Sequence, residues 1–243
     1  MTQKNESLTD MIAALAKGTQ TPLSLAEQSL ARAAQHADLN AFAALDADIV
    51  MAQAKAANQR RMRGEALSPI DGIPIAIKDN YLTKDYPTTA CSNAKPLEPT
   101  GQDATIVANL RAAGAVIFGK TNMHEWAFGA TNTTSNIGPT RNPHNTDHIT
   151  GGSSGGSGAA VASGIVSAAF GSDTGGSIRI PSSACGIYGF KPSYGRASRH
   201  GVLPLSWSLD APGPMATSLH DIVHLLPYVL GADSADHSTS GAG

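Results

Sequence analysis

Three observations lead the amino-acid sequence to predict an α/β fold. From residue 65 onward, short runs rich in β-branched residues alternate with alanine-rich segments and glycine turns, the usual order of strands and helices in such folds. Hydrophobic residues make up 41% of the 243-residue chain and charged residues 15%, so a sizeable core can form. No internal repeat of about 20 to 50 residues occurs, so a repeat architecture is not expected.

Residues 7–63 carry helical patterns. Thr21 can cap a helix that has Pro22 at its first position, and SLAEQSLARAA then places apolar residues at helical spacing. The alanine-rich run DADIVMAQAKAANQRRMRG ends in basic residues and Gly64, as helices commonly do. We therefore predict a helical lead-in over residues 1–64, followed by a core over residues 65–243.

Four strands and one helix are predicted within the core. The strands are IPIAIK (73–78), AVIFG (115–119), IVSAAFG (165–171) and IYGFKP (187–192), and the helix is ATIVANLRAAG (104–114). A helix between the first two strands is the alternation on which the fold class rests. The small polar end, GADSADHSTSGAG, is predicted to be a loose tail.

Charge, hydropathy and cysteine content restrict the partners and the compartment. A net charge of −2 gives no electrostatic reason to bind nucleic acid or an acidic membrane. The N-terminal MTQKNESLTD lacks the pattern of a secretion signal, and no run of about 18 apolar residues occurs, so a soluble cytoplasmic protein is expected. Cys91 and Cys185 have no metal-like spacing and are expected to be small buried side chains.

Two glycine motifs match known site patterns but lack the context that those sites need. GAVIFGKT (114–121) fits the phosphate-binding pattern G-x-x-x-x-G-K-[ST], yet its interior residues are those of a strand rather than a loop. GGSSG (151–155) fits the serine elbow G-x-S-x-G, but the polar segment NPHNTDHIT (142–150) is not predicted as the strand that must precede an elbow. We therefore expect neither type of site.

The stretch TGGSSGGSGAA (150–160) allows two interpretations, a flexible linker or the backbone of an active site. Glycine and serine do form flexible connectors. Here, however, AAVASGIVSAAFGSDTGGSIRIP follows at once, with a helix-like run, a strand and a second Gly-Ser turn. Because glycine lets the backbone approach a ligand or adopt positive φ, two such serine-bearing turns favour the active-site interpretation.

The region GGSSGGSGAAVASGIVSAAFGSDTGGSIRIPSSACGIYGFKPS resembles the signature of the amidase signature family. Further motifs of that family occur in order, with DGIPIAIKDN, DATIVANLRAAGAVIFGKTNMHEWAFG and GPTRNPHN before it and GVLPLSWSLDAPGPMA after it. The resemblance covers about residues 65 to 230 and implies the amidase signature fold, a mixed β-sheet core covered by helices.

Length is the main departure from the family, whose members usually run to about twice this size. The resemblance therefore implies that the chain corresponds to the N-terminal half of the family fold, as a fragment, a truncated product or a reduced version. An unfinished core would expose apolar surface, so dimerisation or marginal stability is the expected consequence.

The resemblance also implies a catalytic set of three residues. Lys78 of IKDN is the base, Ser177 of DTGGS is the nucleophile, and Ser153 of GGSSGG, preceded by a cis peptide bond at Gly152, relays the proton between them. A serine hydroxyl needs an activating base, and a lysine acts as one only when neutral. Lys78 is therefore expected to be buried at the end of its apolar strand.

Other positions of the motifs receive supporting roles. The backbone N–H groups predicted to hold the oxyanion are those of Thr174, Gly175, Gly176 and Ser177, at a turn into a helix that starts near Ile178. The side chains expected to brace the site are Ser154, Asp173 and Arg179. Asp173 and Arg179 form either a buried ion pair or part of the catalytic machinery. Met123, Trp126 and Phe128 either line the acyl pocket or pack in the core.

Together these features predict an amidase that hydrolyses a linear amide to an acid plus ammonia or an amine through an acyl-enzyme, without a metal or organic cofactor. The second candidate within the family is the glutaminase subunit of a glutamyl-tRNA(Gln) or aspartyl-tRNA(Asn) amidotransferase, for which nucleic acid is a partner only through the assembly. A non-catalytic binding protein is disfavoured because all three catalytic residues are present. The expected partners are a small-molecule amide and a second copy of the chain, with no membrane.

Overall fold

A six-stranded mixed β-sheet forms the core of the molecule in a computed structural model that describes residues 6–94 and 101–241. The strands in chain order are β1 (Phe42–Ala44), β2 (Pro74–Lys78), β3 (Val116–Thr121), β4 (Arg141–Asn142), β5 (Asn145–Ile149), β6 (Ala168–Asp173), β7 (Tyr188–Gly189) and β8 (Ala211–Ala216). The spatial order of the sheet is β1-β3-β2-β6-β8-β7, and β4 and β5 form a separate hairpin. Because β3, β2 and β6 are parallel and the other pairs antiparallel, the predicted α/β class with a mixed sheet is confirmed.

Helices cover both faces of the sheet. They are α1 (Leu8–Lys17), α2 (Pro22–Gln35), α3 (Ala47–Met62), α4 (Thr105–Ala112), α5 (Gly155–Ala162), α6 (Arg179–Ala184) and α7 (Leu219–Leu225). Side chains alternate between the faces along β2, as in any strand. Ile75 and Ile77 belong to the apolar cluster that includes residues of α1, α4 and α7, whereas Ala76 belongs to a second cluster with residues of α3 and α5. Every residue of β2 is therefore buried.

The N-terminal region contributes a strand that the helical patterns did not predict. β1 pairs antiparallel with β3 and forms one edge of the sheet. Three residues, FAA, are too few to show a period, and their strand conformation depends on the partner in β3. Leu8 and Leu25 also pack in the same cluster as Ile75, so the first helices contact the sheet. The division at residue 64 stays a prediction.

β8, with the sequence APGPMA, was not predicted because it contains Pro212 and Pro214, and proline usually excludes a residue from a sheet interior. The carbonyl of Pro214 accepts a hydrogen bond from the N–H of Phe190, on the β7 side. Because the nitrogen and carbonyl of one strand residue face the same side, the missing N–H also faces β7, which extends only over Tyr188–Gly189. β8 therefore pairs with β6 along its full length despite its prolines.

The remaining predicted elements are present with shifted ends. β6 starts at Ala168 rather than at residue 165, since Ile165 and Val166 are buried in the turn after α5, and it ends at Asp173 rather than at residue 171. β7 is shorter than the predicted 187–192, and the chain reaches Pro192, which has no N–H for pairing. β2, β3, α4 and the Thr21 cap of α2 lie where the sequence predicts them.

The phosphate-binding interpretation of residues 114–121 is excluded by β3. Gly119, Lys120 and Thr121 all lie inside the buried strand, so no loop can wrap around a phosphate there.

The serine-elbow interpretation needs a correction, because β5 does precede Gly151 and the expected absence of a strand was wrong. β5 is exposed and belongs to the hairpin rather than to the main sheet. Ser153 is fully buried, which does not fit the exposed serine of an elbow.

Candidate active site

Lys78 is the last residue of β2 and is fully buried. Its Nζ lies 2.7 Å from Ser153 Oγ, 3.0 Å from Ser172 Oγ and 3.4 Å from the carbonyl oxygen of Ser172. None of the ion pairs among the described residues involves Lys78. Burial lowers its pKa from 10.5 to about 7, against the opposing charges of Asp173 and Asp210. A large fraction of the amine is therefore neutral near pH 7, as a base requires.

The loop that carries Ser153 leaves no room for a side chain at the preceding residue, Gly152. The peptide bond between Gly152 and Ser153 is cis, as the resemblance implied. A Cβ at Gly152 would come within 2.8 Å of the carbonyl oxygen of Gly129 and of the N of Asn132. The N–H of Gly152 donates to the carbonyl of Ala130, and the carbonyl of Ser153 accepts from the N–H of His124. Residues 124–132 therefore fix Ser153 against Lys78.

Ser177 lies in the turn between β6 and α6, which we call the 174–178 turn. It is 9% exposed, and its carbonyl accepts a hydrogen bond from the N–H of Ser154. This contact joins the two serine-bearing segments through the backbone. Within the described part of the chain, no hydrogen bond joins Ser177 Oγ to Ser153 Oγ. The structure thus brings Lys78 and Ser153 into direct contact and places Ser177 next to Ser154.

The carboxylate of Asp173 organises the 174–178 turn. Its oxygens accept hydrogen bonds from the N–H groups of Gly176 (2.8 Å), Ile178 (3.1 Å) and Arg179 (3.3 Å). The prediction that the Gly176 N–H faces an oxyanion is therefore corrected, because that donor is already bound to Asp173. The amides of Thr174, Gly175 and Ser177 have no hydrogen-bond partner among the described residues. They are the donors left for an oxyanion.

Asp173 and Arg179 form an ion pair, one of the two arrangements predicted for them. Both Nε and one terminal nitrogen of Arg179 contact the carboxylate, at 3.0 and 2.9 Å. Asp173 is buried, whereas the Arg179 side chain is 54% exposed. Although burial raises the pKa of Asp173, the hydrogen bonds from Arg179 and the backbone outweigh it, so the pKa is lowered. Asp173 therefore stays ionised and acts on the turn that carries Ser177.

Sequence reasoning missed two polar residues that contact the site. Ser172 accepts hydrogen bonds from Lys78 and from the Asn80 side chain. Asp210 accepts from the hydroxyl of Thr174 and from the backbone N–H of Leu205, so it holds the other end of the 174–178 turn. Asp210 immediately precedes β8, and that strand was not predicted, which is why no signal connected Asp210 with Thr174. Ser172 stands beside Asp173 in the DTGGS region, but its partner in β2 is visible only from the sheet.

The remaining predicted residues are spread over different environments. Ser154 is buried, and its Oγ lies 3.4 Å from the carbonyl oxygen of Ser172. Met123 is fully buried in a small cluster with Cys91, which favours the packing interpretation. Trp126 and Phe128 are 48% and 78% exposed, so the three residues do not form one buried pocket. Their role in binding an acyl group stays a prediction.

An open surface depression lies beside the 174–178 turn. It is lined by Gly175, Gly176, Arg179, Ile180, Ser183 and Ala184. In residues 6–94 and 101–241, no group of three or more His, Cys, Asp or Glu side chains is arranged to hold a metal ion. None of the helices in these same residues combines the length and apolar character needed to cross a membrane.

Comparison with known proteins finds one family. The family model described as Amidase matches residues 24–242. The chain is 50% identical over 234 residues to a glutamyl-tRNA(Gln) amidotransferase subunit of Cupriavidus necator, a match that covers 96% of this chain and 46% of that protein. The chain therefore spans about half the length of the curated relatives that it matches.

Solved structures agree with this match. The native peptide amidase from Stenotrophomonas maltophilia has a TM-score of 0.91 and 35% identity, with 98% of this chain and 50% of that chain covered. A glutamyl-tRNA(Gln) amidotransferase subunit from Thermotoga maritima has a TM-score of 0.79 and 36% identity, with 90% and 46% covered. Both identities are high enough to support more than a shared fold.

Proposed function

The chain belongs to the amidase family, and from that premise we propose that its site hydrolyses a linear carboxylic amide, with Ser177 as nucleophile, Ser153 as proton relay and Lys78 as base. The observation that carries the proposal is the contact of 2.7 Å between Lys78 Nζ and Ser153 Oγ, made by a buried lysine whose pKa is lowered to about 7. A lysine without a carboxylate partner in a buried site has the properties of a general base.

The proposed reaction begins when Ser177 Oγ attacks the amide carbonyl. The Ser177 proton passes to Ser153 as the proton of Ser153 passes to Lys78, and the carbonyl oxygen takes up the negative charge. The C–N bond then breaks as the proton returns through Ser153 to the leaving nitrogen, which departs as ammonia or an amine. Water, deprotonated by the same route, releases the acid from the acyl-enzyme. Substrate binding must bring Ser177 Oγ within hydrogen-bond reach of Ser153, since such contacts commonly tighten only in the substrate complex.

The oxyanion is proposed to bind the free N–H groups of Thr174, Gly175 and Ser177. Donors fixed in place before the reaction stabilise the developing charge without reorganisation, and loss of one such donor costs about 3 to 4 kcal/mol of transition-state stabilisation. Asp173 and Asp210 hold the two ends of the turn that carries these donors. Their role in this proposal is to keep the donors aligned, and neither contacts the reacting atoms.

The pH dependence of the first chemical step follows from Lys78. Its pKa of about 7 means that the base is protonated and inactive below that value and neutral above it. We expect the acylation rate to rise with pH between about 6 and 8 and then to level off. Single-turnover acylation across this pH range measures it. A rate that is flat from pH 5 to 9 would argue against Lys78 as the base.

Covalent labelling of serine tests the assignment of the nucleophile. We expect a fluorophosphonate to add once, at Ser177, as shown by intact mass and peptide mapping. The adduct should be absent in Ser177→Ala, strongly reduced in Lys78→Met and unchanged in Ser167→Ala, whose buried hydroxyl has no hydrogen-bond partner among the described residues. Full amide hydrolysis by folded Ser177→Ala would overturn the proposal. Labelling at Ser153 or Ser154 instead would assign the site to the serine-elbow class.

A more specific candidate is the release of ammonia from glutamine by the chain acting as the glutaminase subunit of a tRNA-dependent amidotransferase. It is favoured by the name of the relatives that share 48 to 50% identity with this chain. In that case the partners are the other subunits, nucleic acid takes part only through the assembly, and the predicted location is the cytoplasm. Glutamine hydrolysis that depends on added partner subunits would support this candidate. If the chain alone hydrolyses simple amides but not glutamine, an independent amidase would be favoured.

A further inference from the structure

The amine of Lys78 has three oxygen neighbours, as many as the N–H donors of its protonated form. Ser153 Oγ, Ser172 Oγ and the carbonyl oxygen of Ser172 lie 2.7, 3.0 and 3.4 Å from Nζ. A lysine ammonium has three N–H donors and no acceptor. The neutral amine keeps two N–H donors and gains one lone pair. One of the three oxygens must therefore change from acceptor to donor when Lys78 loses its proton.

Ser172 is unsuited to be the oxygen that changes. Its carbonyl oxygen can only accept. Its Oγ accepts a hydrogen bond from the Asn80 Nδ2, at 3.0 Å, and this contact orients the hydroxyl so that its second lone pair can accept from Lys78. Of the two hydroxyl contacts of Nζ, the one with Ser153 is the shorter, at 2.7 Å against 3.0 Å, and the proposed relay requires Ser153 to give its proton to Lys78. Ser153 is thus the donor to the neutral amine.

We propose that Ser172, held in place by Asn80, is a positioning residue that binds both N–H groups of neutral Lys78 and so directs its lone pair at Ser153. This inference rests on the proposed role of Lys78 as base. Ser172 itself contacts no reacting atom and gains or loses no proton.

The arrangement serves both protonation states without rearrangement. When Ser153 gives its proton to Lys78, the N–H bond formed points to Ser153 Oγ, and the two existing N–H bonds stay on Ser172. The ammonium then has all three donors bound, and Ser153 takes the proton of Ser177. On the return step Lys78 gives a proton back to Ser153, and Ser153 gives its proton to the leaving nitrogen. An environment that does not reorganise during charge transfer is a major source of catalytic rate.

The positions of Ser172 and Asn80 make this support rigid. Ser172 lies in β6, which is paired with β8 along its full length and with β2 on the other side. Asn80 is 2% exposed and follows β2 by two residues, and its carbonyl accepts a hydrogen bond from the N–H of Leu203. Two neighbouring strands therefore hold the base and the group that orients it.

Other groups also influence the ionisation of Lys78 and must stay constant in a test. Three of them are Asp173 at the end of β6, Asp210 just before β8, and Cys91 in the loop that follows β2. The fourth is His124, whose backbone N–H binds the Ser153 carbonyl and whose pKa is lowered by burial and by the charge of Lys78. Burial raises the pKa of Cys91 to about 12, so that thiol is uncharged at neutral pH. The Asp79–Lys120 ion pair lies beside the same strands. Replacement of Ser172 by alanine changes none of these charges.

The test compares Ser172→Ala with Ser167→Ala, a matched removal of a buried hydroxyl five residues earlier. Two readouts are needed: the pKa of Lys78 from NMR of the lysine side chain, assigned with Lys78→Met, and the rate of Ser177 labelling from pH 5 to 9. We expect the pKa of Lys78 to fall further in Ser172→Ala, because the ammonium loses an acceptor. The plateau rate should nevertheless fall about 10- to 100-fold, because the lone pair is no longer aimed at Ser153.

This combination separates positioning from a purely structural role. A lower pKa alone increases the neutral fraction and would raise the rate at low pH, so a fall across the whole range indicates misdirection of the base. Ser172→Thr, which keeps the hydroxyl, should recover most of the rate. Asn80→Ala should show a smaller loss of the same kind and serves as the second variant if Ser172→Ala does not fold. Equal pKa and equal rate in Ser172→Ala and Ser167→Ala would overturn the inference.

Failure of the inference can be told from failure of the proposed function. If Ser177→Ala keeps its activity, Ser177 is not the nucleophile and the proposed function fails. The shift in the Lys78 pKa is still measurable in that case, because NMR does not require turnover. If wild type is labelled at Ser177 and only the Ser172→Ala results are negative, the proposed function stands and the inference alone is wrong.

Discussion

Two buried lysines on neighbouring strands, Lys78 and Lys120, differ in the groups that they contact. Lys78 ends β2 and Lys120 lies near the end of β3, and the register places Ile77 opposite Lys120. Both side chains are completely buried. Lys120 Nζ lies 3.1 Å from Asp79 Oδ1 and also donates to the Pro87 carbonyl and the Thr88 hydroxyl. Among the described residues, Lys78 contacts two serine side chains and one carbonyl, and no carboxylate.

This difference indicates that the groups beside a buried lysine, rather than burial alone, determine whether its amine stays charged. Burial lowers the pKa of both amines, but the adjacent Asp79 carboxylate opposes this for Lys120. The charges that oppose it for Lys78 are those of Asp173 and Asp210, neither of which forms an ion pair with Lys78. Lys120 therefore has a carboxylate as its ion-pair partner, whereas Lys78 has none among the described residues. Under the proposed function, the same residue type thus forms an ion pair at one position and acts as a base at the other.

The largest expected difference is in reactivity. Under the proposed function, Lys78→Met should slow Ser177 labelling by about 10³-fold or more, since a general base typically contributes about 10²- to 10⁴-fold. Lys120→Met should slow it by less than about tenfold in the fraction that stays folded. Labelling rates normalised to folded protein measure this, with the exposed Lys55→Met as control. Equal losses in Lys78→Met and Lys120→Met would break the distinction.

Stability should show the reverse order. Lys120→Met leaves the Asp79 carboxylate buried without its cation, which should lower the free energy of unfolding by about 3 to 5 kcal/mol. Adding Asp79→Asn should restore a large part of this loss, because the uncompensated charge is removed. Denaturant unfolding of the single and double variants beside Lys55→Met measures the coupling. An additive double variant would mean that the pair contributes no stability as a pair.

The pH dependence of stability sharpens the same comparison. The pKa of Lys78 is about 7 in the folded protein and 10.5 unfolded, so between these values the unfolded chain binds more protons and stability rises with pH. Below about 7 the contribution is constant. Relative to Lys78→Met, the wild type should gain about 3 kcal/mol between pH 7 and 9, at about 1.4 kcal/mol per unit. Unfolding curves of both proteins at matched pH measure this, and parallel pH dependence would show that Lys78 keeps its ordinary pKa.

Sequence alone identifies Lys78 but not what separates it from Lys120. Lys78, Ser153 and Ser177 stand in motifs that resemble those of the amidase signature family, and that resemblance nominated them. The Asp79–Lys120 pair depends on which residues of β2 and β3 lie side by side, and this register follows from packing rather than from either segment.

The same limit explains the other misses. Gly176 was predicted as an oxyanion donor because the motif marks the turn, but only the folded turn shows that Asp173 takes that N–H. β8 was missed because the tolerance of its prolines depends on the short strand beside it. The sequence therefore predicts the fold class and nominates the residues to which the proposed function assigns the chemistry. The contacts that tune those residues run between distant segments and had to come from the structure.

A third buried polar group gives the smallest expected effect and completes the series. Ser167 is 2% exposed, and its Oγ has no hydrogen-bond partner among the described residues. A buried hydroxyl without a partner carries a desolvation cost that nothing offsets, so Ser167→Ala should raise the free energy of unfolding by about 1 kcal/mol. Denaturant unfolding, with Ser157→Ala as the control for a fully bonded buried serine, measures it.

The three substitutions should therefore affect the free energy of unfolding in different ways. Loss of Lys120, which has a charged partner, should lower it, and loss of the unpartnered Ser167 hydroxyl should raise it. Loss of Lys78 should change its pH dependence. If Ser167→Ala loses as much stability as Ser157→Ala, burial would determine the stability contribution of a polar group more than its hydrogen-bond partners do. That result would contradict the explanation given for the two lysines.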